Sequence, residues 1–176
     1  MASEPTAVQV RPGAEADLAA LTAIYNHYVR ETAITFDTVI FTPEERRAWL
    51  LSHPEDGPYR LMVATETDSR TGSQRILGYA TSSPYRLKPA YATSVETSVY
   101  LDPHAGRRGI GSLLYGALFK ALADEDVHRA YAGIAQPNEA SERLHARFGF
   151  RHVGTYREVG RKFGRYWDVA WYEKEL

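Results

Sequence analysis

The sequence predicts a single domain of the α/β or α+β class. Segments rich in β-branched residues alternate with segments of helical apolar spacing, and helices fall both at the start and in the middle of the chain. This order excludes an all-β sandwich and a helix bundle. The length of 176 residues and the hydrophobic content of 44% are sufficient for one sizeable core.

The elements of the first half follow from apolar spacing and turn signals. Apolar residues recur at helical spacing over 16–30, which predicts the first helix. A capping box with proline at the first helical position, Thr42 to Glu45, begins a predicted helix over 43–52. The polar segment 66–74 is typical of an exposed hairpin loop. Strands are predicted over 8–11, 60–65 and 75–82.

The second half contains two strand-to-helix units and a final pair of strands. A strand over 94–101 leads into a helix that reaches about position 125, and a strand over 130–135 precedes a short helix that starts near Asn138. The last strands are predicted over 152–158 and 167–173. The longer helix is predicted to turn one apolar stripe to the sheet, formed by Leu113, Leu114, Ala117, Leu118, Ala121 and Leu122.

Composition excludes several classes of site. The chain has no cysteine, so disulfides, thiolate metal sites and cysteine nucleophiles are excluded. The net charge of -1 and the absence of a basic run longer than Arg107-Arg108 give no reason to expect nucleic acid or an anionic membrane as partner. Because the start is short and polar and no apolar run approaches about 20 residues, we expect a cytoplasmic protein with a flexible tail over 1–7 and one domain over 8–176.

The most informative segment is 98–112, SVYLDPHAGRRGIGS, in which a strand enters a glycine-rich loop that opens a helix. Backbone N–H groups at such a helix start can hold a diphosphate, and Arg107 and Arg108 add positive charge beside it. The spacing does not fit a P-loop, because the lysine that would reach the phosphates is absent and Ser112 is followed by Leu113. It does not fit a dinucleotide fingerprint either, because Leu114 stands where the third glycine is required. The alternative is a plain strand-to-helix turn with a solvated face.

A second motif covers 136–150. Asn138 is a natural helix N-cap, Ser141 and Leu144 share one helical face, and Gly149 suits the end of the helix. His145, beside Leu144, has a side chain that can exchange a proton near neutral pH. The alternative is a partly exposed histidine that only packs.

Glu96 is the candidate base. It interrupts an uncharged β-rich stretch just before the glycine-rich loop. Strand alternation places Glu96, Ser98 and Tyr100 on one face and the row that starts at Val95 on the other. Glu96 therefore faces either a cleft or solvent.

These motifs resemble those of the GNAT superfamily of N-acetyltransferases. The loop is similar to the acyl-CoA pyrophosphate loop Gln/Arg-x-x-Gly-x-Gly/Ala, although Gly106 stands at its first position. The second motif is similar to N-x-x-A/S-x-x-L-Y-x-K/R-x-G-F, with His145 in place of the tyrosine that commonly protonates the leaving thiolate. Segments 24–28, 32–36, 96–101 and 160–168 resemble the phosphinothricin N-acetyltransferase branch.

The resemblance implies a GNAT-like domain with a mostly antiparallel mixed sheet of about six to seven strands and about four helices. It also implies acetyl-CoA as donor, an amino-acid-like amine as acceptor, no metal, and a homodimer in which Phe163 could take part. Glu96 would be the catalytic base, with His145 or an unidentified tyrosine returning a proton to the thiolate. The implied cofactor-binding residues are Val99, Tyr100, Leu101, Arg107, Arg108, Gly109, Ile110, Gly111, Ser112, Asn138 and Ser141.

The acceptor side is assigned to Phe36, Arg86 and Tyr91, of which Arg86 would meet a carboxylate or phosphinate and the aromatic rings would form a wall. Lys88 could share the role of Arg86. The alternatives for these side chains are surface charge and ordinary packing. Two other functions stay open on the sequence alone: acetylation of a peptide N-terminus, polyamine or antibiotic, and a non-catalytic acyl-CoA-binding module.

Overall fold

The structure, a computed structural model, describes residues 7–106 and 108–176. Arg107 and positions 1–6 of the predicted tail lie outside the described residues. The strands are β1 (Val8–Pro12), β2 (Leu61–Thr67), β3 (Gln74–Pro84), β4 (Ser94–Leu101), β5 (Arg129–Ala135), β6 (Arg151–Lys162) and β7 (Arg165–Glu175). The helices are α1 (Leu18–Glu31), α2 (Pro43–Leu51), α3 (Ile110–Leu122) and α4 (Glu139–Arg147), with short 3₁₀ turns at Glu15–Asp17 and Pro89–Tyr91.

The seven strands form one mixed sheet in the order β1-β2-β3-β4-β5-β7-β6. Neighbouring strands are antiparallel except for β4 and β5, which pair in parallel. The sheet and its four helices in the described part of the chain confirm the predicted fold class and topology.

Helices cover both faces of the sheet, so two cores form. On one face α3 packs with Leu114, Tyr115 and Leu118, all fully buried. On the other face α1 and α2 pack on Val63 and Tyr79. The predicted stripe of α3 is wrong at Leu113, which is 45% exposed, because a step of about 100° per residue turns it outward once Leu114 faces the sheet.

Most predicted ends differ from the structure by one or two residues, and two differ by more. Helix α3 ends at Leu122 rather than near 125. Strand β6 continues past the predicted end at Glu158 to Lys162. A bulge interrupts its pairing with β7 between Tyr156 and Gly160, which breaks the alternation of side chains that identifies a strand in sequence.

The β6–β7 hairpin is held against the segment between α1 and α2. Its two-residue turn, Phe163-Gly164, has positive φ at both positions, as a type I′ turn requires. Buried Lys162 donates from Nζ to the carbonyl oxygen of Thr35 at 2.8 Å. Gly160 lies against the ring of Phe36, where no β-carbon would fit. The hairpin therefore fixes the position of residues 32–42.

Candidate active site

A cleft opens where β4 and β5 part. The two strands pair only over Ser94–Glu96 and Arg129–Tyr131. Beyond these residues β4 stays paired with β3, and β5 with β7. Each strand therefore keeps one edge of backbone groups that the sheet does not use. The cleft is lined by Ile34, Thr97, Ser98, Val99, Tyr100, Tyr115, Ala132, Gly133, Ile134, Ala135, Asn138, Ser141 and His145.

The glycine-rich loop stands at one end of this region, where it begins α3. Gly109 has φ 69°, a left-handed conformation that favours glycine, and Ile110 follows as the first helical residue. The first N–H groups of a helix have no partner within it, so they are free to bind an anion. Gly111 is buried against Leu144, so its missing side chain lets α3 and α4 approach. Arg108, predicted to add charge here, forms an ion pair with Glu66 at 2.9 Å.

Helix α4 supplies the opposite wall. Asn138 caps it as predicted, because its Oδ1 accepts from the N–H of Ser141 at 3.2 Å. Arg147 donates to Oγ of Ser112 at 2.9 Å, which joins the end of α4 to the start of α3. The structure therefore brings Asn138, Ser141 and the glycine-rich loop to the same side of the sheet as Val99.

His145 is a buried member of a hydrogen-bonded pair. It is only 3% exposed, so the alternative of a partly exposed histidine is wrong. Its Nδ1–H donates to the carbonyl oxygen of Ser141 at 2.7 Å. The other ring nitrogen, Nε2, is therefore the acceptor for the hydroxyl of Tyr115 at 2.9 Å. Burial lowers the pKa of His145, which keeps the ring neutral at pH 7.

Tyr115 was not singled out from the sequence, although it lies within the apolar-periodic helix. Its side chain is fully buried, and its hydroxyl is also 3.3 Å from Oγ1 of Thr97. Burial raises the pKa of this phenol, so it carries its proton at neutral pH. Because Tyr115 lines the cleft, it places an O–H donor there beside the neutral ring of His145.

Glu96 lies on β4 opposite Ser83 of β3 and Tyr131 of β5. It shares a sheet face with Ser98 and Tyr100, as the predicted alternation requires, and it is half-buried. Burial raises the pKa of the Glu96 carboxyl, and the positive charge of Arg86 opposes that rise. A carboxylate with a raised pKa is a better proton acceptor than one in free solution.

A second cavity lies on that face, between α2 and strands β3 and β4. Its volume is about 270 Å³, and it is lined by Tyr25, Asp37, Phe41, Glu45, Arg46, Trp49, Tyr79, Thr81, Ser83, Ser98 and Tyr100. We call it the acceptor pocket. Ser98 and Tyr100 line both this pocket and the cleft. The two spaces therefore meet at β4, two residues from Glu96.

The predicted acceptor residues lie in two places. Arg86 is exposed, with its guanidinium 4.3 Å from the ring centre of Tyr85, and Tyr91 contacts the same ring edge-on. Both stand in the loop between β3 and β4, and the charge of Arg86 acts on Glu96. Phe36 instead packs on Gly160. Arg46 and Tyr79, which the sequence analysis missed, lie in the acceptor pocket itself.

The described residues contain neither a cluster of metal-binding side chains nor a helix suited to span a membrane. Among residues 7–106 and 108–176, no three His, Asp or Glu side chains are placed so that they could hold a metal ion. Within the same ranges, no helix combines the length and hydrophobicity that a membrane span requires.

Removal of the positive charge of Arg86 should raise the pKa of Glu96, because burial would then act without opposition. We expect a higher pKa of Glu96 in Arg86→Gln, measured by an NMR pH titration of the side-chain carboxyl carbons. The signal of Glu96 is identified by its loss in Glu96→Gln. Lys88→Gln, in the same exposed loop, is the matched control and should leave the titration unchanged. An unchanged or lower pKa in Arg86→Gln would contradict the electrostatic contact.

Comparisons with known proteins agree with this geometry. The acetyltransferase (GNAT) domain family matches residues 10–171. The chain is 80% identical over 169 residues to a phosphinothricin N-acetyltransferase of Streptomyces coelicolor, with 96% of each chain covered. It is 31% identical to an L-methionine sulfoximine/L-methionine sulfone acetyltransferase of Pseudomonas paraeruginosa, covering 95% of this chain and 94% of the other.

A solved structure gives the same result. The GNAT superfamily phosphinothricin acetyltransferase of Sinorhizobium meliloti, in complex with AcCoA, superposes with a TM-score of 0.85 and 30% identity, covering 96% of this chain and 88% of the other. Fold, site geometry and sequence similarity therefore agree, and the chain belongs to the GNAT acetyltransferase family.

Proposed function

We propose that this protein transfers the acetyl group of acetyl-CoA to the primary amine of a small amino-acid-like acceptor of the phosphinothricin, methionine sulfoximine or methionine sulfone type. The observation that carries the proposal is the meeting of the cleft and the acceptor pocket at Ser98 and Tyr100, next to Glu96. Two substrates can react there directly in a ternary complex. The names of the Streptomyces and Pseudomonas relatives support this acceptor class.

The cleft has the chemistry that acetyl-CoA requires. The edge of β4 that does not pair with β5 can bind the amides of an extended arm, while Gly109 and the N–H groups that begin α3 would meet the diphosphate. Asn138 and Ser141 line the opposite side. When bound there, acetyl-CoA supplies an activated thioester carbonyl.

Glu96 acts as the base in this proposal. An amine attacks only when it is unprotonated, and Glu96 removes the ammonium proton directly or through a water. Arg86 acts on Glu96 through its charge and can hold the α-carboxylate of the acceptor, while Tyr91, which packs on Tyr85 of the same loop, would provide an aromatic wall. Phe36, the other residue assigned to the acceptor wall, packs on Gly160, and it follows Thr35, whose hydroxyl bonds Tyr25 of the pocket.

Tyr115 is the proposed proton donor for the departing CoA thiolate. The Nδ1–H of His145 is committed to Ser141, and its Nε2 bears no proton, so the neutral ring cannot donate into the cleft. In the resting site the single proton of the Tyr115 hydroxyl lies in the hydrogen bond to Nε2 of His145. To protonate the sulfur, the O–H turns from Nε2 toward the departing thiolate, and water then returns a proton to the phenolate. His145 is therefore a positioning residue, and the tyrosine that the sequence left unidentified is Tyr115.

The first test is acetyl-CoA turnover by purified protein, read as free thiol, with phosphinothricin, methionine sulfone, peptides and polyamines as acceptors. We expect activity with the first two, and a fall in kcat/KM of about 10²- to 10⁴-fold in Glu96→Gln, because a general base is lost. Activity of the wild type should fall as pH decreases through the raised pKa of Glu96, since protonation removes the base.

Glu173→Gln is the control, because Glu173 is a strand glutamate paired with Arg151. Turnover of peptides or polyamines alone would assign a different amine to the site. Acetyl-CoA binding without any turnover would favour a binding module.

Loss of the Tyr115 hydroxyl should slow chemistry more than it weakens binding. In Tyr115→Phe we expect kcat to fall about 10²-fold or more, with a smaller change in the KM for acetyl-CoA, because a general acid is lost. Steady-state kinetics on the folded variant measures both. Tyr172→Phe is the control, because it removes a partly buried tyrosine hydroxyl that bonds Glu142 rather than His145. This variant should retain the kcat of the wild type. Equal kcat in the two variants would exclude Tyr115 as the donor.

We also propose that the protein is a homodimer formed through the β6–β7 hairpin. β6 is an edge strand. The hairpin exposes more than half of each of five large apolar or aromatic side chains: Val153, Tyr156, Val159, Phe163 and Tyr166. A second copy of the chain would cover both this patch and the open strand edge.

Sedimentation equilibrium should give about 40 kDa, twice the chain mass of 19.8 kDa. The double variant Tyr156→Glu/Val159→Glu should sediment as a monomer, because charge in an apolar interface is costly. Leu51→Glu, at an exposed position on α2, should stay dimeric. A wild-type monomer at micromolar concentration would refute the interface. The cytoplasmic location, the absence of nucleic-acid and membrane partners, and the domain limits stay predictions.

A further inference from the structure

The acceptor pocket holds a buried positive charge that the proposed mechanism does not use. Arg46 is 6% exposed, and its guanidinium is 3.8 Å from the ring centre of Trp49 and 4.4 Å from that of Tyr25. It donates a hydrogen bond to the carbonyl oxygen of Leu21 at 3.3 Å. Within 7–106 and 108–176 no carboxylate lies at ion-pair distance from it. A buried charge without a counter-charge is costly, unless a ligand provides one.

The carboxylates that line the same pocket are engaged elsewhere. Asp37 accepts a hydrogen bond from the hydroxyl of Tyr25. Glu45 accepts from the N–H of Thr42 at 2.7 Å and so completes the capping box of α2. Neither neutralises Arg46, so the pocket offers a guanidinium to whatever enters it.

Tyr79 is a second, independent sign of a ligand. Its side chain is 1% exposed and lines the acceptor pocket. Its hydroxyl lies near Arg46, but no described residue meets it in hydrogen-bonding geometry. Buried hydroxyl groups are nearly always hydrogen-bonded, because an unsatisfied one is destabilising. A hydroxyl beside a cavity and close to Arg46 can be satisfied by a ligand oxygen.

The sheet register connects this end of the pocket with the reacting centre. Glu96, Ser98 and Tyr100 of β4 pair with Ser83, Thr81 and Tyr79 of β3 in that order. Two residues of a strand span about 7 Å. An acceptor whose amine lies near Ser98 therefore reaches Tyr79 with the end of a side chain of a few atoms.

We infer that Arg46 and Tyr79 form a subsite for a tetrahedral, oxygen-bearing side-chain terminus, such as a phosphinate or a sulfone. A planar guanidinium can donate two parallel hydrogen bonds to two oxygens on one phosphorus or sulfur, and the Tyr79 hydroxyl can donate another. Arg86, at the rim near Glu96, is left for the α-carboxylate. The inference rests on the proposed function and specifies which end of the acceptor the pocket recognises.

The test compares two acceptors that differ only in those oxygens, methionine sulfone and methionine. The ratio of their kcat/KM values isolates recognition of the terminus, since the amine and α-carboxylate are common to both. In Tyr79→Phe this ratio should fall about 5- to 10-fold, and in Arg46→Met about 10- to 100-fold, as expected for one neutral and for charged hydrogen bonds. Phosphinothricin should lose activity in parallel with the sulfone.

Arg47→Met is the matched control, because Arg47 is the neighbouring arginine of α2 and pairs with Glu44 at the surface. Its ratio should equal that of the wild type. If Arg46→Met does not fold, Tyr79→Phe decides, because removal of an unpartnered hydroxyl should leave the melting temperature unchanged or higher. An unchanged ratio in folded Tyr79→Phe would overturn the subsite.

The outcome is separate from that of the proposed function. Failure of the wild type to acetylate any of these amino acids would refute the function. Calorimetric titration with methionine sulfone and with methionine then measures the preference as a ratio of two dissociation constants, which needs no turnover. A wild-type preference for the sulfone that Tyr79→Phe abolishes would support the subsite, and equal binding of the two ligands would refute it.

Discussion

The early parting of β4 and β5 is the constraint on which the rest of the structure depends. Backbone N–H and C=O groups that leave a sheet must find other partners. Here they border a cleft, which stays open because each strand is paired on its other side, with β3 or with β7, and because α3 and α4 are joined through Arg147 and Ser112. The protein thus keeps a row of hydrogen-bonding groups ready without losing the sheet.

Buried polar groups divide the site into two environments. In the cleft they are satisfied internally: Ser141, His145 and Tyr115 form a continuous chain of hydrogen bonds. In the acceptor pocket, and among the described residues, Arg46 has no carboxylate partner and the Tyr79 hydroxyl has no hydrogen-bond partner. A satisfied chain is rigid before substrate arrives, whereas unsatisfied groups favour whichever molecule completes them. In the proposed function, the polar groups assigned to catalysis are therefore bonded to one another, whereas those assigned to selectivity are left for the acceptor to bind.

Sequence patterns predicted what depends on local spacing. The alternation in β4 correctly placed Glu96, and the capping signals located α2 and α4. Patterns failed where tertiary contacts decide. Tyr115 looks like one more apolar residue of its helix until α4 brings His145 to its hydroxyl. Arg46 belongs to the polar run EERR, and only the docking of Trp49 and Tyr25 reveals that it is buried.

The contacts of the β6–β7 hairpin with the segment 32–42 have a consequence for the order of events during synthesis. Thr35 and Phe36 are held by Lys162 and Gly160, more than 120 positions later in the chain, as the separation of 127 between Thr35 and Lys162 shows. A ribosome releases the N-terminal part first. In the nascent chain Tyr25 can already bond Thr35 and Asp37, but the contacts of Lys162 and Gly160 are still missing. The segment beside the acceptor pocket therefore gains its last contacts only after the final hairpin has been made.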